Sequence, residues 1–133
     1  MSELSNILYV EDDARSRKIL HLLLDPITRL TTFDDSTNFA ERLAALQPAP
    51  DLILLDIHVK PYNGFEMLAM VRQHEQFAAT PVVALTASVM NEEVEQLRTA
   101  GFNSVIGKPI DVDTFPDLLA RIHAGETIWR IVS

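Results

Sequence analysis

The feature that most constrains the fold is a series of short apolar runs separated by longer amphipathic segments. A strand-length run followed by a helix-length segment is typical of βα units, which build an open parallel sheet with helices on both faces. The runs predict strands at about residues 6–10, 29–33, 51–55, 81–85 and 104–106. The segments between and after them predict helices at about residues 14–24, 64–74, 91–100 and 113–124, together with a second helix that carries Phe39, Leu43 and Leu46 at helical spacing. The sequence therefore predicts an α/β, doubly wound domain with a parallel five-stranded sheet.

Helix ends carry recognisable signals. Asp35 or Ser36 is expected to cap the second helix, because a short polar side chain there can accept a backbone N–H. Gly101 and Gly125 follow the fourth and fifth helices, at the position where a left-handed backbone favours glycine. Pro116 must lie in the first turn of the fifth helix, where its missing N–H does little harm.

Polar residues follow four of the five predicted strands. Glu11 and Asp12 come after the first strand, Asp56 after the third, Thr86 after the fourth and Lys108 after the fifth. The carboxyl ends of parallel strands line a common crevice, so these side chains are predicted to converge. Three carboxylates in one pocket repel one another unless a cation is bound. The set therefore points to a hard divalent metal, Mg²⁺, and to phosphate chemistry.

The residue types suit phosphoryl transfer to a carboxylate. Asp56, partly shielded at the mouth of the sheet, is the candidate nucleophile toward phosphorus. The other two carboxylates and the backbone carbonyl of His58 are candidate Mg²⁺ ligands. Lys108 can balance one phosphoryl oxygen, and the Thr86 hydroxyl can hydrogen-bond another.

Each of these residues has a plainer interpretation. The run Glu11-Asp12-Asp13 also suits a helix N-terminus, which favours acids. Asp56 and Lys108 could be turn residues, and Thr86 a β-branched strand end. The coincidence of suitable groups at four separate strand ends favours the joint site over the separate explanations.

Length, composition and charge narrow the class of protein. The chain has 133 residues, 47% of them hydrophobic, which is enough for one domain with its own core. It has no cysteine, so no disulfide framework and no thiolate metal site are expected. A net charge of −8 argues against direct nucleic-acid binding. No signal peptide or membrane-spanning run is recognisable, so a cytoplasmic protein that does not bind a membrane is expected.

Taken together, these motifs resemble the receiver domain of two-component response regulators, over about residues 6–124. The resemblance implies a flavodoxin-like (βα)5 sandwich with strand order 2-1-3-4-5. It is carried by the segments Ile7-Leu8-Tyr9-Val10-Glu11-Asp12-Asp13, Asp51-Leu52-Ile53-Leu54-Leu55-Asp56, Gly64-Phe65-Glu66, Val82-Val83-Ala84-Leu85-Thr86-Ala87, Ala100-Gly101 and Gly107-Lys108-Pro109.

The resemblance also implies roles. Asp56 accepts a phosphoryl group from a histidine kinase or a phosphotransfer protein, and Thr86 moves toward that group. Ala87 leaves the phosphorus accessible. Lys108 pairs with the phosphate and precedes a cis peptide bond to Pro109. Three further ligands are implied for Mg²⁺ besides Asp56: Asp12 directly, Glu11 mainly through water, and the His58 carbonyl.

Three departures from the family pattern stand out. Glu11 replaces the aspartate that is frequent at the first position of the acidic pair; metal binding is expected to survive. The family's usual proline four residues after the phosphorylated aspartate is Lys60 here, and Pro61 follows it. Val105 stands where many members carry Tyr or Phe, so the aromatic half of the switch coupled to Thr86 is missing.

The leading functional hypothesis is a single-domain response regulator, not an enzyme, that switches binding of a downstream protein. Residues 1–125 are expected to form the receiver domain, and residues 126–133 an apolar tail with no separate output domain. An alternative is a degenerate receiver that acts as an interaction module without phosphorylation. A third reading, an aspartyl-phosphate hydrolase, requires His58 to transfer protons. The tail residues Ile128, Trp129 and Ile131 either pack on the fifth helix or pair with a second copy as a homodimer.

Overall fold

The sheet of this protein, seen in a computed structural model that describes residues 4–87 and 90–130, is wholly parallel. Its strand order is β2-β1-β3-β4-β5-β6, and the first five strands follow the predicted order. Register is continuous across the sheet: Tyr9 on β1 lies between Thr32 and Leu54, and Asp56 on β3 lies beside Leu85. The strands are β1 Asn6–Val10, β2 Arg29–Phe33, β3 Leu52–Asp56, β4 Val82–Thr86, β5 Ser104–Gly107 and β6 Trp129–Arg130.

The helices connect successive strands, as the amphipathic segments predict. α4 ends at Gly101, whose φ of 111° is the left-handed conformation expected of a glycine cap. Pro116 lies in the first turn of α5. The helices are α1 Ala14–Leu24, α2 Phe39–Ala44, α3 Gly64–Gln73, α4 Asn91–Ala100 and α5 Phe115–His123, with a short 3₁₀ helix at Glu75–Phe77. None of the helices in the described part of the chain has the length and apolar character needed to span a bilayer.

Two hydrophobic cores lie on opposite faces of the sheet because alternate strand residues point to opposite sides. One core joins the sheet to α2, α3 and α4 through residues such as Leu43, Val71 and Leu97. The other joins it to α1 and α5 through Leu24 and Leu119. The strands β3 and β4 are buried along their whole length, as central parallel strands covered on both faces must be.

A sixth strand extends the sheet beyond the five that the sequence predicted. Val105 on β5 donates its N–H to the carbonyl of Ile128 at 2.9 Å, and the N–H of Ile128 donates to Ser104 Oγ at 2.8 Å. Ile128 packs on the α1/α5 core, whereas Trp129 packs on the opposite core. The described part of the tail, up to residue 130, therefore pairs with the sheet and packs on the cores of its own domain. Ile131, the third apolar tail residue, lies outside the described residues.

The predicted cap of the second helix is wrong. Asn38 with a φ of 52° precedes α2, and its side chain makes no capping hydrogen bond. The Ser36 hydroxyl instead exchanges hydrogen bonds with the backbone of Tyr62, both at 2.7 Å, and Asp35 Oδ1 accepts from Thr37 N–H and from Arg42. Because the side chains of Asp35 and Ser36 form these other hydrogen bonds, neither caps α2, and the helix begins later than predicted.

The loop between β3 and α3 closes tightly on the strand. Gly64, the first residue of α3, donates its N–H to the Ile57 carbonyl at 2.9 Å. A Cβ at residue 64 would lie 2.9 Å from Ile57 Cα and 2.5 Å from its Cδ1. Only glycine permits this approach, which holds the residues just after Asp56 against the start of α3.

Candidate functional site

Three carboxylates meet at the carboxyl edge of the sheet. Glu11 follows β1, Asp56 ends β3, and Asp12 lies in the loop that leads into α1. One oxygen from each lies within 4.8 Å of the others. Glu11 and Asp56 are buried, with 1% and 7% of their surface exposed, whereas Asp12 is exposed. The acidic cluster predicted from the sequence is thus a pocket with two inner carboxylates and one at its mouth.

Lys108 lies between the two inner carboxylates. It follows β5, and its Nζ donates to Glu11 Oε1 at 2.5 Å and to Asp56 Oδ2 at 2.9 Å. Its backbone N–H donates to the Thr86 carbonyl at 2.8 Å, which fixes the start of the side chain beside β4. The lysine is therefore the internal counter-ion of the pocket in this arrangement.

Thr86 and His58 border the same pocket. Thr86 is the last residue of β4 and is buried, with 3% of its surface exposed. The backbone N–H of His58 donates to Asp56 Oδ1 at 2.9 Å, while the residue itself is exposed. Ala87, which follows Thr86, is exposed too.

The pocket perturbs the pKa values of its members in opposite directions. Burial raises the pKa of Glu11, and its contact with Asp56 adds to that effect. Burial acts in the same direction on Asp56, but hydrogen bonds from Glu11, His58 N–H and Lys108 outweigh it and hold the pKa of Asp56 below its usual range. These contacts favour the carboxylate form of Asp56, which is the form that a nucleophile requires.

The pKa of Lys108 is raised. Burial opposes the charged ammonium, but the hydrogen bonds to Glu11 and Asp56 more than compensate for it. The lysine consequently keeps its positive charge at neutral pH.

Asp13 belongs to the helix rather than to the pocket. Its Oδ2 accepts from the Ser16 N–H at 3.0 Å and from the Ser16 hydroxyl at 2.7 Å, which makes it the N-cap of α1. These hydrogen bonds lower the pKa of Asp13. The acidic run thus combines both interpretations given above: two residues form the pocket and the third caps a helix.

Two contacts of the pocket were missed in the sequence. The Tyr9 hydroxyl donates to Glu11 Oε1 at 2.8 Å, and Arg17 Nη1 donates to the Glu11 carbonyl at 2.8 Å. Strand alternation could have revealed Tyr9, because residues 9 and 11 point to the same side of β1. Arg17 lies on α1, one turn after the cap, and no sequence pattern predicts that its side chain bonds to the carbonyl of Glu11.

The departures from the family pattern lie around the pocket. The Lys108–Pro109 bond is cis, as predicted, and Lys60–Pro61 is cis as well. Lys60 is exposed in the loop after β3. Val105 is fully buried in β5 beside Trp129 of β6, so an aliphatic side chain occupies this position of the strand.

The donor set fits Mg²⁺. The three clustered carboxylates of Glu11, Asp12 and Asp56 offer hard oxygen ligands, and Asp12 at the mouth leaves room for water to complete an octahedron. Lys108 balances part of the negative charge of Glu11 and Asp56.

A parallel α/β sandwich with this strand order, and with an acidic pocket and a lysine at the carboxyl edge, defines a receiver-type domain. Comparison with known proteins agrees: the sequence profile of the response regulator receiver domain matches residues 7–121. The chain belongs to this family, the receiver domains of two-component signalling.

Two relatives and one solved structure illustrate the likeness. The chain is 30% identical over 122 residues to the signal transduction histidine-protein kinase BarA of Escherichia coli K12, covering 92% of this chain but only 13% of that kinase. It is 29% identical to the polar-differentiation response regulator DivK of Brucella ovis, covering 83% of this chain and 89% of DivK. The receiver domain of the sensor histidine kinase PA1611 from Pseudomonas aeruginosa has a TM-score of 0.80 and 24% identity, with coverage of 91% and 98%; a magnesium ion is coordinated in its active site cleft.

Proposed function

We propose that this receiver domain is a phosphorylation-controlled switch that accepts a phosphoryl group on Asp56. The donor is the phosphohistidine of a histidine kinase or a phosphotransfer protein, and the output is altered binding of a downstream protein. The observation that carries the proposal is the buried Asp56 side chain held between the Lys108 ammonium and the His58 N–H, beside two further acidic side chains.

The proposed reaction transfers the phosphoryl group from the histidine of the donor to Asp56. An oxygen of the Asp56 carboxylate attacks phosphorus, an O–P bond forms, and the P–N bond of the donor breaks with its electron pair remaining on the imidazole nitrogen. Asp12, Asp56, the His58 carbonyl and, through water, Glu11 would hold Mg²⁺, which would supply positive charge to balance the phosphoryl oxygens.

The remaining groups act on the phosphoryl oxygens. Lys108 transfers its hydrogen bond from Asp56 Oδ2 to a phosphoryl oxygen, and Thr86 presents its hydroxyl to another. Ala87 leaves access to the phosphorus. No group in this scheme turns over a foreign phosphoester, so we propose self-phosphorylation and autodephosphorylation as the protein's own chemistry, in the cytoplasm.

Intact-mass spectrometry tests the acceptor directly. Wild-type protein incubated with Mg²⁺ and phosphoramidate is expected to gain one phosphoryl group, and Asp56→Asn is expected to gain none. Asp113→Asn, at an exposed aspartate outside the pocket, is the matched control and is expected to react like wild type. A wild-type protein that gains no mass, or an Asp56→Asn protein that gains as much as wild type, contradicts the proposal.

A phosphorylation-independent interaction module is the second candidate. It is favoured by Val105, because β5 lacks the aromatic side chain that could swing with Thr86. Beryllofluoride, which stands in for the phosphoryl group on a carboxylate, separates the two. In ¹⁵N NMR spectra, a switch shows amide shifts that extend from Thr86 and Lys108 into α4 and β5. A static module shows changes confined to the residues that touch the ligand.

A further inference from the structure

Tyr9 is an aromatic residue with a polar group in the middle of a core strand. It has 1% of its surface exposed and packs in the α1/α5 core beside residues such as Leu20 and Leu85. A buried hydroxyl is costly unless it is hydrogen-bonded. The Tyr9 hydroxyl bonds to Glu11 Oε1, the same oxygen that accepts from Lys108.

The position of this hydroxyl is fixed by the sheet. β1 lies between β2 and β3, so its backbone is held on both sides, and residues 9 and 11 point to the same face. On one side of Tyr9 a cavity of about 340 Å³ opens between α1 and the loop that follows Lys108. Tyr9 therefore lines this cavity with its side chain while its hydroxyl reaches Glu11 in the acidic pocket.

A fixed hydrogen-bond donor matters more for the Glu11 carboxylate than it would for an aspartate. It has one more rotatable bond, so its carboxylate has more positions available to it. In this structure both of its oxygens are bound: Oε1 accepts from Tyr9 and Lys108, and Oε2 accepts from the Asp13 N–H at 3.2 Å. Tyr9 is the one of these donors that belongs to the rigid centre of the sheet.

We propose that Tyr9 is a positioning residue for the metal site: its hydroxyl holds the longer Glu11 carboxylate against Lys108 and toward the cation. The inference rests on the proposed function, because it assumes that Mg²⁺ binds beside Glu11. It explains how a glutamate can occupy the first acidic position without loosening the pocket.

A double-mutant cycle tests the inference through Mg²⁺ affinity, measured by titration calorimetry. Tyr9→Phe is expected to weaken Mg²⁺ binding about tenfold, as loss of an outer-shell partner does. In a Glu11→Asp background the carboxylate is one methylene shorter and withdraws from the hydroxyl. There, Tyr9→Phe is expected to change affinity by less than about twofold. Tyr62→Phe, at a tyrosine with 38% of its surface exposed, is the control and is expected to bind like wild type.

Urea unfolding without Mg²⁺ separates positioning from a general loss of stability. Tyr9→Phe keeps the ring, and a cooperative transition shows that the variant is folded. An equal loss of affinity in both backgrounds, or no loss in either, overturns the role of Tyr9 while leaving the proposed function intact. Absence of Mg²⁺ binding in wild type overturns both.

Discussion

The carboxyl edge of the sheet and its β5–β6 side are built in opposite ways. At the carboxyl edge, buried carboxylates are held together by a single lysine, and burial works against the charges that are needed there. On the β5–β6 side, Trp129 covers apolar surface, and backbone pairing closes the strand. The burial of charge in the pocket therefore opposes stability, whereas the packing of Trp129 on the core and the pairing of β6 with β5 favour it. Substitutions at the carboxyl edge should therefore act through unbalanced charge, and substitutions on the β5–β6 side through lost packing.

The largest effect is expected at Lys108. Lys108→Met leaves Glu11 and Asp56 beside each other in a buried site without a cation, and should lower the free energy of unfolding by about 3 kcal/mol. Urea denaturation without Mg²⁺ measures this, and added Mg²⁺ should recover part of the loss. Lys18→Met, at an exposed lysine of α1, is the control. Equal stability of the two variants would show that the lysine is not the counter-ion on which the pocket depends.

Trp129→Ala should come next. The side chain is partly buried against the core, so its removal should cost about 2 kcal/mol, less than for a fully buried tryptophan. Phosphorylation of Asp56 should proceed at the wild-type rate, since Trp129 pairs with Val105 of β5 and packs on the hydrophobic core rather than on the acidic cluster. Leu22→Ala, with 70% of Leu22 exposed, should change stability little. A Trp129→Ala variant that keeps full stability would show that packing of Trp129 does not stabilise the β5–β6 side.

The pH dependence of stability sharpens the description of the pocket. The pKa of Glu11 is raised from its ordinary value of 4.5, so the folded protein holds this proton more tightly than the unfolded chain. The free energy of unfolding should therefore fall as pH rises above about 4.5, until Glu11 is ionised in both states. Asp56 has the opposite sign: its pKa lies below 3.8, so its contribution is lost as pH falls below that value.

Glu11→Gln should abolish the fall above pH 4.5 and keep the loss of stability in acid. Urea midpoints collected without Mg²⁺ between pH 3 and pH 8 report both changes. A Glu11→Gln protein whose midpoint declines above pH 4.5 as steeply as that of wild type would assign the titration to another group.

The smallest effect is expected at Arg98. Its guanidinium lies 4.6 Å from the centre of the Trp129 ring, but half of the arginine side chain is exposed. Arg98→Ala should therefore cost only about 0.5 kcal/mol. Because Trp129 is the single tryptophan, its emission maximum reports the loss of the contact. A cost comparable to that of Trp129→Ala would mean that charge contributes as much as packing on the β5–β6 side.

Periodicity was enough to predict the first five strands and the meeting of Glu11, Asp12, Asp56 and Lys108 at their ends, for a physical reason. A strand that is buried on both faces of a parallel sheet needs a continuous apolar run. A polar residue at the end of that run needs solvent or a hydrogen-bonding partner. The apolar runs that end near Asp56 and Thr86 therefore predict both the strands and the pocket at their ends. β1, α1, β2 and α4 have the predicted bounds, whereas α5 begins two residues later than predicted.

What the sequence did not reveal depends on contacts distant along the chain. β6 contains two residues, too few to show a period, and it forms because β5 offers an unpaired edge. Ser36 is a residue type that often caps helices, but its hydroxyl donates to the carbonyl of Tyr62 in the loop after β3. The Tyr9 hydroxyl was hidden because tyrosine also suits a strand interior.

The sixth strand has a consequence for synthesis of the protein. β6 follows α5 in sequence, so a nascent chain that has emerged from the ribosome only as far as α5 presents the β5 edge with its hydrogen-bonding groups open. Such an edge can recruit foreign strands, so pairing with β6 covers a site at which the chain can aggregate.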